Sequence, residues 1–230
     1  MGTTPVLNLP YPADADPADV PSDMSDLAHA VEAARGVPNG LAGLDANGQL
    51  PGAQRGPIPL VTSLPVPLTD GVEVILTDSI AVPTYSWRLR YNATDGRWAY
   101  VGGTPARHLV GTSETTTTIG SYVNLATLGP RFVVPKQGDY FVRFGCTVQD
   151  GAADSQVNIG IGVGDFSAPA LGDARGHISA ANYFQSIVGE AYLPNVANAA
   201  ELRCKYLHTL ASTLTVLNRY LYVTPSRLSP

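Results

Sequence analysis

From residue 106 to residue 230 the chain is a succession of short alternating runs: "TTTTIGSYVNLA", "RFVVP", "DYFVRFGCTV", "QVNIGIGVG", "QSIVGEAYLP", "AELRCKYLH" and "LTVLNRYLYVTP". Each is about the length of a strand, and turn residues separate them at regular intervals. A period of two gives a strand one apolar face, and several such strands in series predict a β-sandwich or jelly roll. Composition points the same way. With 23 Gly, 19 Pro and only 14% charged residues, the chain suits pleated strands and tight turns better than a helical enzyme. Its 230 residues exceed what one core needs and suffice for two or three small domains.

The last run is apolar on both sides. Strict alternation places Leu214, Val216, Tyr220 and Tyr222 on one face and Leu217, Leu221 and Val223 on the other. A strand apolar on both faces is covered on both. One side is expected to meet the sandwich core, and Leu217, Leu221 and Val223 are assigned to a subunit interface.

Residues 58–105 read as a second, smaller β module. "GVEVILTDS" alternates Val72, Val74 and Leu76, while "YSWRLRYN" and "RWAYVGG" flank an Asp95-Gly96 turn that marks a hairpin. Trp87, Leu89 and Tyr91 share one face and Arg88 and Arg90 the other. Trp87 and Trp98 could stack on sugars, but so small a module needs its largest side chains in its core. Asn92-Ala93-Thr94 matches a glycosylation sequon, with no secretory context to give it meaning.

Residues 1–57 have no core of their own. Residues 1–20 form a Pro- and Asp-rich arm. "PSDMSDLAHAVEAARG" then carries helix-start signals at Pro21 and Ser22, acids in the first turn and Arg35-Gly36 at the end. Met24, Leu27, Val31 and Ala34 make a stripe too thin for a helix to stand alone, so it needs other copies of itself or a larger assembly. "GLAGLDANGQLPGAQ" follows. It is either a flexible linker or a stem wound about a symmetry axis, with Leu41, Leu44 and Leu50 pointing inward.

These segments also carry resemblances. "LPYPADADPADVPSDMSDLAHAVE" followed by "GLAGLDANGQLPGAQ" resembles the beginning of tailed-bacteriophage tail fibres and minor tail proteins, in which a similar tract links a particle-binding end to a distal β domain. The "LP…DG…W.LRYN…W.YVGG" arrangement resembles a small β module common in phage tail proteins. "RFVVPKQGDYFVRFGCTV" resembles a piece of the tumour-necrosis-factor and complement globular-head jelly rolls, and "LTVLNRYLYVTP" resembles their last strand. That resemblance implies a trimer packed around aromatic and aliphatic side chains.

Signals for chemistry are sparse. His29, His108, His177 and His208 fall in no metal spacing. Gly160, Gly162 and Gly164 alternate with Ile159, Ile161 and Val163, which is a strand with one bare face and no dinucleotide loop. No nucleophile elbow occurs, and "GTSETTTT" has no nearby base. Asp150, Asp154, Asp165 and Asp173 are loop-borne acids that a glycosidase would need in pairs, but turn chemistry accounts for Asp in Gly-rich loops. "QDGAADSQ" lacks the full alternating pattern of a calcium loop. Cys146 and Cys204 sit in alternating apolar stretches and read as buried free thiols. No cofactor is expected.

The net charge of −5 argues against nucleic acid or an anionic membrane as partner. It is concentrated in residues 1–57, with seven acids and two bases, whereas residues 58–105 hold four and three and residues 106–230 eight and nine. No apolar run is long enough to span a bilayer. The N-terminus has no secretory pattern, and Val6 stands where a myristoylation signal wants Ser or Thr. The expectation is a non-enzymatic virion protein made in the host cytoplasm, a trimeric tail-associated fibre or spike that docks on other virion proteins by its N-terminus. Its distal jelly roll would meet the host surface, with Asn182, Tyr183 and Gln185 in "AANYFQS" as the candidate residues for binding a glycan. A head fibre or capsid decoration protein is the alternative, and a small glycan depolymerase a more distant one.

Overall fold

The computed structural model describes residues 2–3, 10–11, 20–33, 57–66, 69–164 and 173–230. The chain divides into two compact units, Met1–Pro57 and Ile58–Pro230. Among the described residues it is mainly β, with one short helix.

In the first unit, β1 (Gly2–Thr3) and β2 (Pro10–Tyr11) pair antiparallel. Helix α1 (Val20–Ala33) follows, starting one residue before Pro21, which its first turn tolerates because the proline lacks only an amide that has no helical acceptor. Met24, Leu27 and Val31 are all exposed on it, Met24 to 66%. The stem leucines Leu41, Leu44 and Leu50 lie outside the described residues.

The second unit begins with β3 (Leu60–Val61), β4 (Glu73–Thr77), β5 (Ser86–Asn92) and β6 (Arg97–Thr104). β5 and β6 form the expected hairpin around Asp95-Gly96, with Gly96 at φ 61°. Val74, Leu76, Trp87 and Leu89 are buried. On the opposite face Glu73 clamps both arginines, Arg88 on one carboxylate oxygen and Arg90 on the other, each at 2.6 Å.

Then come β7 (Ala106–Val110), β8 (Glu114–Thr116), β9 (Arg131–Val133), β10 (Gly138–Asp150), β11 (Ser155–Val163), β12 (Asp173–Ile178), β13 (Phe184–Val196), β14 (Glu201–His208) and β15 (Leu214–Leu228). A small sheet has the order β12-β11-β14-β9, and a large one runs β13-β10-β15-β6-β5-β4-β3. The free edge of the long strand β15 is covered in succession by β8, β7 and β6. Val157, Ile159 and Ile161 of β11 and Leu202, Cys204 and Tyr206 of β14 face Val142, Phe144, Cys146 and Val148 of β10 across the sandwich core.

The expected boundary between residues 105 and 106 is not there. β6 joins β15 directly, with Trp98 opposite Leu228. Trp87 stacks on Tyr85 at 4.1 Å and meets Phe132 and Tyr140 edge-on at 6.0 and 6.2 Å. Both tryptophans are fully buried, which leaves neither free for sugars. A hairpin module as small as residues 58–105 has too little interior for two indoles, and the sandwich supplies the rest.

The faces of β15 also differ from strict alternation. Gly145 of β10 pairs with Tyr220, but Thr147 pairs with Leu217, so Cys146 stands opposite two residues, Asn218 and Arg219. Asn218 takes a left-handed φ of 52°, a conformation that asparagine accepts better than most residues. Between this bulge and a second one at Ser226 the phase is inverted. Leu221 and Val223 are fully buried in the core, so they are not interface residues, and Tyr220 and Tyr222 join Leu217 on the outer face.

The bulge also carries Arg219 inward. Its guanidinium pairs with Glu114 at 3.2 Å and donates to the carbonyls of Thr127, Gly129 and Thr112 at 3.0, 3.4 and 3.3 Å. Tyr206 donates its hydroxyl to Gly129 O as well. The 112–130 segment is thereby fastened to the core.

If the hairpin and sandwich share one core, a fragment comprising residues 106–230 should show no cooperative thermal transition, whereas 58–230 should. Trp87→Ala in the longer fragment should cost about 4 kcal/mol by chemical denaturation. An independently folding 106–230 fragment would refute the shared core.

Candidate functional site

The outer face of the large sheet is the most distinctive surface of the second unit. β10 contributes Phe141 and Arg143, β13 contributes Val188, Glu190 and Tyr192, β15 contributes Leu217, Tyr220 and Tyr222, and β7 contributes Arg107 and Leu109. Register brings them together, because Phe141 stands opposite Tyr192, Arg143 between Glu190 and Tyr222, and Gly145 between Val188 and Tyr220. Phe141 and Tyr192 rings lie 5.0 Å apart, and those of Tyr220 and Tyr222 5.6 Å apart. The Arg107 guanidinium sits 5.7 Å from the centre of the Tyr222 ring.

Gly145 makes the floor of this face. A Cβ there would come within 2.6 Å of the Tyr220 Cζ and hydroxyl, so only glycine lets that ring lie across the sheet. Phe141, Leu109 and Val188 are each about half exposed, at 53, 56 and 49%. Two hollows open between the side chains. One of about 520 Å³ is lined by Arg107, Leu109, Asn218, Tyr220 and Tyr222, and one of about 430 Å³ by Phe141, Arg143, Glu190, Tyr192 and Thr224. Contiguous exposed patches of aromatic and aliphatic groups are a common feature of contact surfaces.

A second constellation lies at the end of the sandwich where β10 finishes and β11 begins. Asp150 is fully buried there. Its Oδ2 accepts from Ser155 at 2.7 Å and from His208 Nδ1 at 3.2 Å, and its Oδ1 accepts from the Ala152 amide at 3.0 Å and from the Ser212 hydroxyl. The Asp150 carbonyl takes the Asn182 amide at 2.7 Å. Three loops are thus tied to one residue. Burial alone would raise the Asp150 pKa, but the bonds from Ser212, Ala152, Ser155 and His208 hold it below the usual carboxylate range.

Asp, His and two Ser together suggest nucleophilic chemistry, but the geometry does not. Both serines donate to the aspartate and neither stands at His208 Nε2, where a nucleophile would have to be. Donors occupy the carboxylate from every side, which also leaves no place for calcium. Of the other candidate acids, Asp154 is exposed with His177 at 3.8 Å, Asp165 lies outside the described residues, and Asp173 opens β12. His29 is exposed on α1, and His108 is half-buried, its pKa lowered by that burial. No metal-binding group of three occurs among the described residues. Cys146 and Cys204 are both free and buried, and burial pushes both thiols up.

The predicted ligand residues lie at the same end. Neighbours on a strand face opposite ways, so alternation through "AANYFQS" predicts one of Tyr183 and Phe184 in the core; both are exposed, Tyr183 to 62%. Asn182 explains this. It adopts a left-handed φ of 60°, pinned by its amide on Asp150 O and by Gln149 donating to its carbonyl at 2.8 Å. The chain therefore turns before the strand starts, and Tyr183 is a loop residue. Gln185 is half-buried beside Gly176 of β12. Neither the Asp150 cluster nor the Arg219 anchor could be found by spacing, since their members are scattered over 62 and 107 residues of sequence.

Because Asp150 is depressed in the folded state, its contribution is present above the ordinary Asp value near 3.8 and is lost as pH falls through the lower folded value. Asp150→Asn should cost about 3 kcal/mol at neutral pH and flatten the acid side of the stability profile. A variant whose acid limb is as steep as the parent's would assign that limb to other groups.

No protein-family model matches the chain, and no curated protein matches it. Among solved structures it is similar to Eiger TNF from S. frugiperda, at 12% identity over 52% of this chain and 90% of that one, with a TM-score of 0.38. It is also similar to a structure of infectious bursal disease virus Gx strain, at 7% identity over 56% and 34%, TM-score 0.37. A third is a family two carbohydrate esterase from Cellvibrio japonicus, at 14% identity over 55% and 36%, TM-score 0.25. The chain spans about a third of the length of the last two. Similarities this low say nothing about activity or partners.

Proposed function

We propose that this chain is a structural protein of a tailed-phage virion, a homotrimeric tail-associated fibre or spike. The observation that carries the association is the outer face of the large sheet, where aromatic and aliphatic groups stand half exposed around a glycine floor. Two further copies of the same chain suit it as partners, because the face offers both cations, Arg107 and Arg143, and an acid, Glu190. The exposed Met24, Leu27 and Val31 stripe on α1 and the fibre-like order of arm, helix and Gly-rich tract support a particle-docking role for residues 1–57.

The loops tied to Asp150 would then contact the host. Within the second unit they lie at the opposite end of β10 from Leu228 and Trp98, the end to which the 58–105 strands attach. Tyr183 and Asn182 offer a flat ring and a directional amide, a combination that suits a neutral glycan. Three weak sites on one axis would bind a repeated surface ligand far better than one.

Light scattering on the intact chain at micromolar concentration should give three times the chain mass. Val188→Glu replaces an exposed side chain, so it should change the stability of the single chain by less than about 0.5 kcal/mol while lowering the mass to that of a monomer. A trimer untouched by the substitution would place the contact elsewhere. Tyr183→Ala should abolish host-cell adsorption with an unchanged melting temperature; retained adsorption would remove Tyr183 from the site.

A further inference from the structure

The larger hollow on the outer face holds an imbalance of charge. Arg107 of β7 and Arg143 of β10 line it with Asn218, Tyr220 and Tyr222, and no carboxylate does. Arg219 borders it too, but its guanidinium is engaged inside the sandwich on Glu114. Arg107 has the Tyr222 ring beneath it. Arg143 reaches Glu190 at 3.6 Å, with both side chains largely exposed. In a single chain, water screens these charges.

Packing three copies through this face removes that water. Each copy brings two guanidiniums and one carboxylate, Glu190, so one positive charge per copy stays uncompensated around the axis. The neighbouring acids are already engaged, Glu114 with Arg219 and Asp139 with Arg97 and Arg227. An unpaired charge taken out of water costs more than the burial of an adjacent apolar group returns. Some negative group has to accompany it.

We propose that a small oxyanion, phosphate- or sulfate-like, binds in the Arg107–Arg143 hollow and forms part of the subunit contact. Guanidinium forks match the spacing of oxyanion oxygens, and the Asn218 amide and tyrosine hydroxyls can supply neutral donors. This inference rests on the threefold association proposed above, since neighbouring copies close the site.

Inorganic phosphate is the probe. Sedimentation of the intact chain is compared in a chloride buffer and in one of equal ionic strength containing millimolar phosphate. The trimer should dissociate at a roughly tenfold lower concentration in phosphate. Arg107→Gln or Arg143→Gln alone brings the charge count to zero, so either variant should trimerise equally in both buffers, with circular dichroism melts confirming its fold. A wild-type trimer that dissociates alike in both buffers overturns the oxyanion and leaves the threefold association standing. A phosphate response retained in both variants overturns it too. A chain that is monomeric in both buffers overturns the association itself, and the oxyanion with it.

Discussion

One extra residue in β15 decides what both sides of the large sheet are made of. Opposite Cys146 the strand spends two residues, Asn218 and Arg219, where strict pairing allows one. Every side chain from there to Pro225 changes sides, until a second extra residue, Ser226, restores the phase. Leu221 and Val223 go into the core and the two tyrosines come out, so the sandwich gains aliphatic filling and the surface gains aromatic area. The left-handed backbone at Asn218 is a small local cost set against the packing of the strand from Arg219 to Pro225.

The same bulge places a guanidinium where a sandwich normally has carbon. Arg219 is tolerated because Glu114 and three carbonyls surround it, and it in turn holds down a segment that has little apolar bulk of its own. Asp150 does the corresponding work at the end of the sandwich, with a carboxylate where Arg219 has a cation. Buried charges of this kind are poor sources of net stability against a hydrophobic replacement, but removing one partner is expensive. They therefore fix which loop arrangement the fold adopts. The exposed ring of Tyr183 depends on this, since it is the Asp150 carbonyl that turns the chain at Asn182.

Much of the architecture was legible in the residues. Alternation located β4, β5, β10, β11, β14 and β15, the Asp95-Gly96 pair located the hairpin, and the apolar company of Cys146 and Cys204 foretold two buried thiols. The division at residue 105 was misjudged because a hairpin with two tryptophans looks self-sufficient when its partners, Phe132 and Tyr140, are far along the chain. Period-two reading puts Leu221 and Val223 on the same face as Leu217 because such a pattern has no memory of an inserted residue. Alternation through Tyr183 and Phe184 fails because the turn at Asn182 leaves Tyr183 in the loop and β13 begins only at Phe184.

What the sequence determined by itself was local: where the backbone prefers to be extended, where it turns, and which strands have an apolar face, because these follow from side-chain shape and from neighbours within a few residues. Which face meets which partner was decided by tertiary structure alone. It depends on register between strands distant in sequence, and a single bulge shifts that register. The outer aromatic face, the Arg107–Arg143 hollow and the Asp150 cluster all arise at this level, from side chains that come together only once β10 lies between β13 and β15.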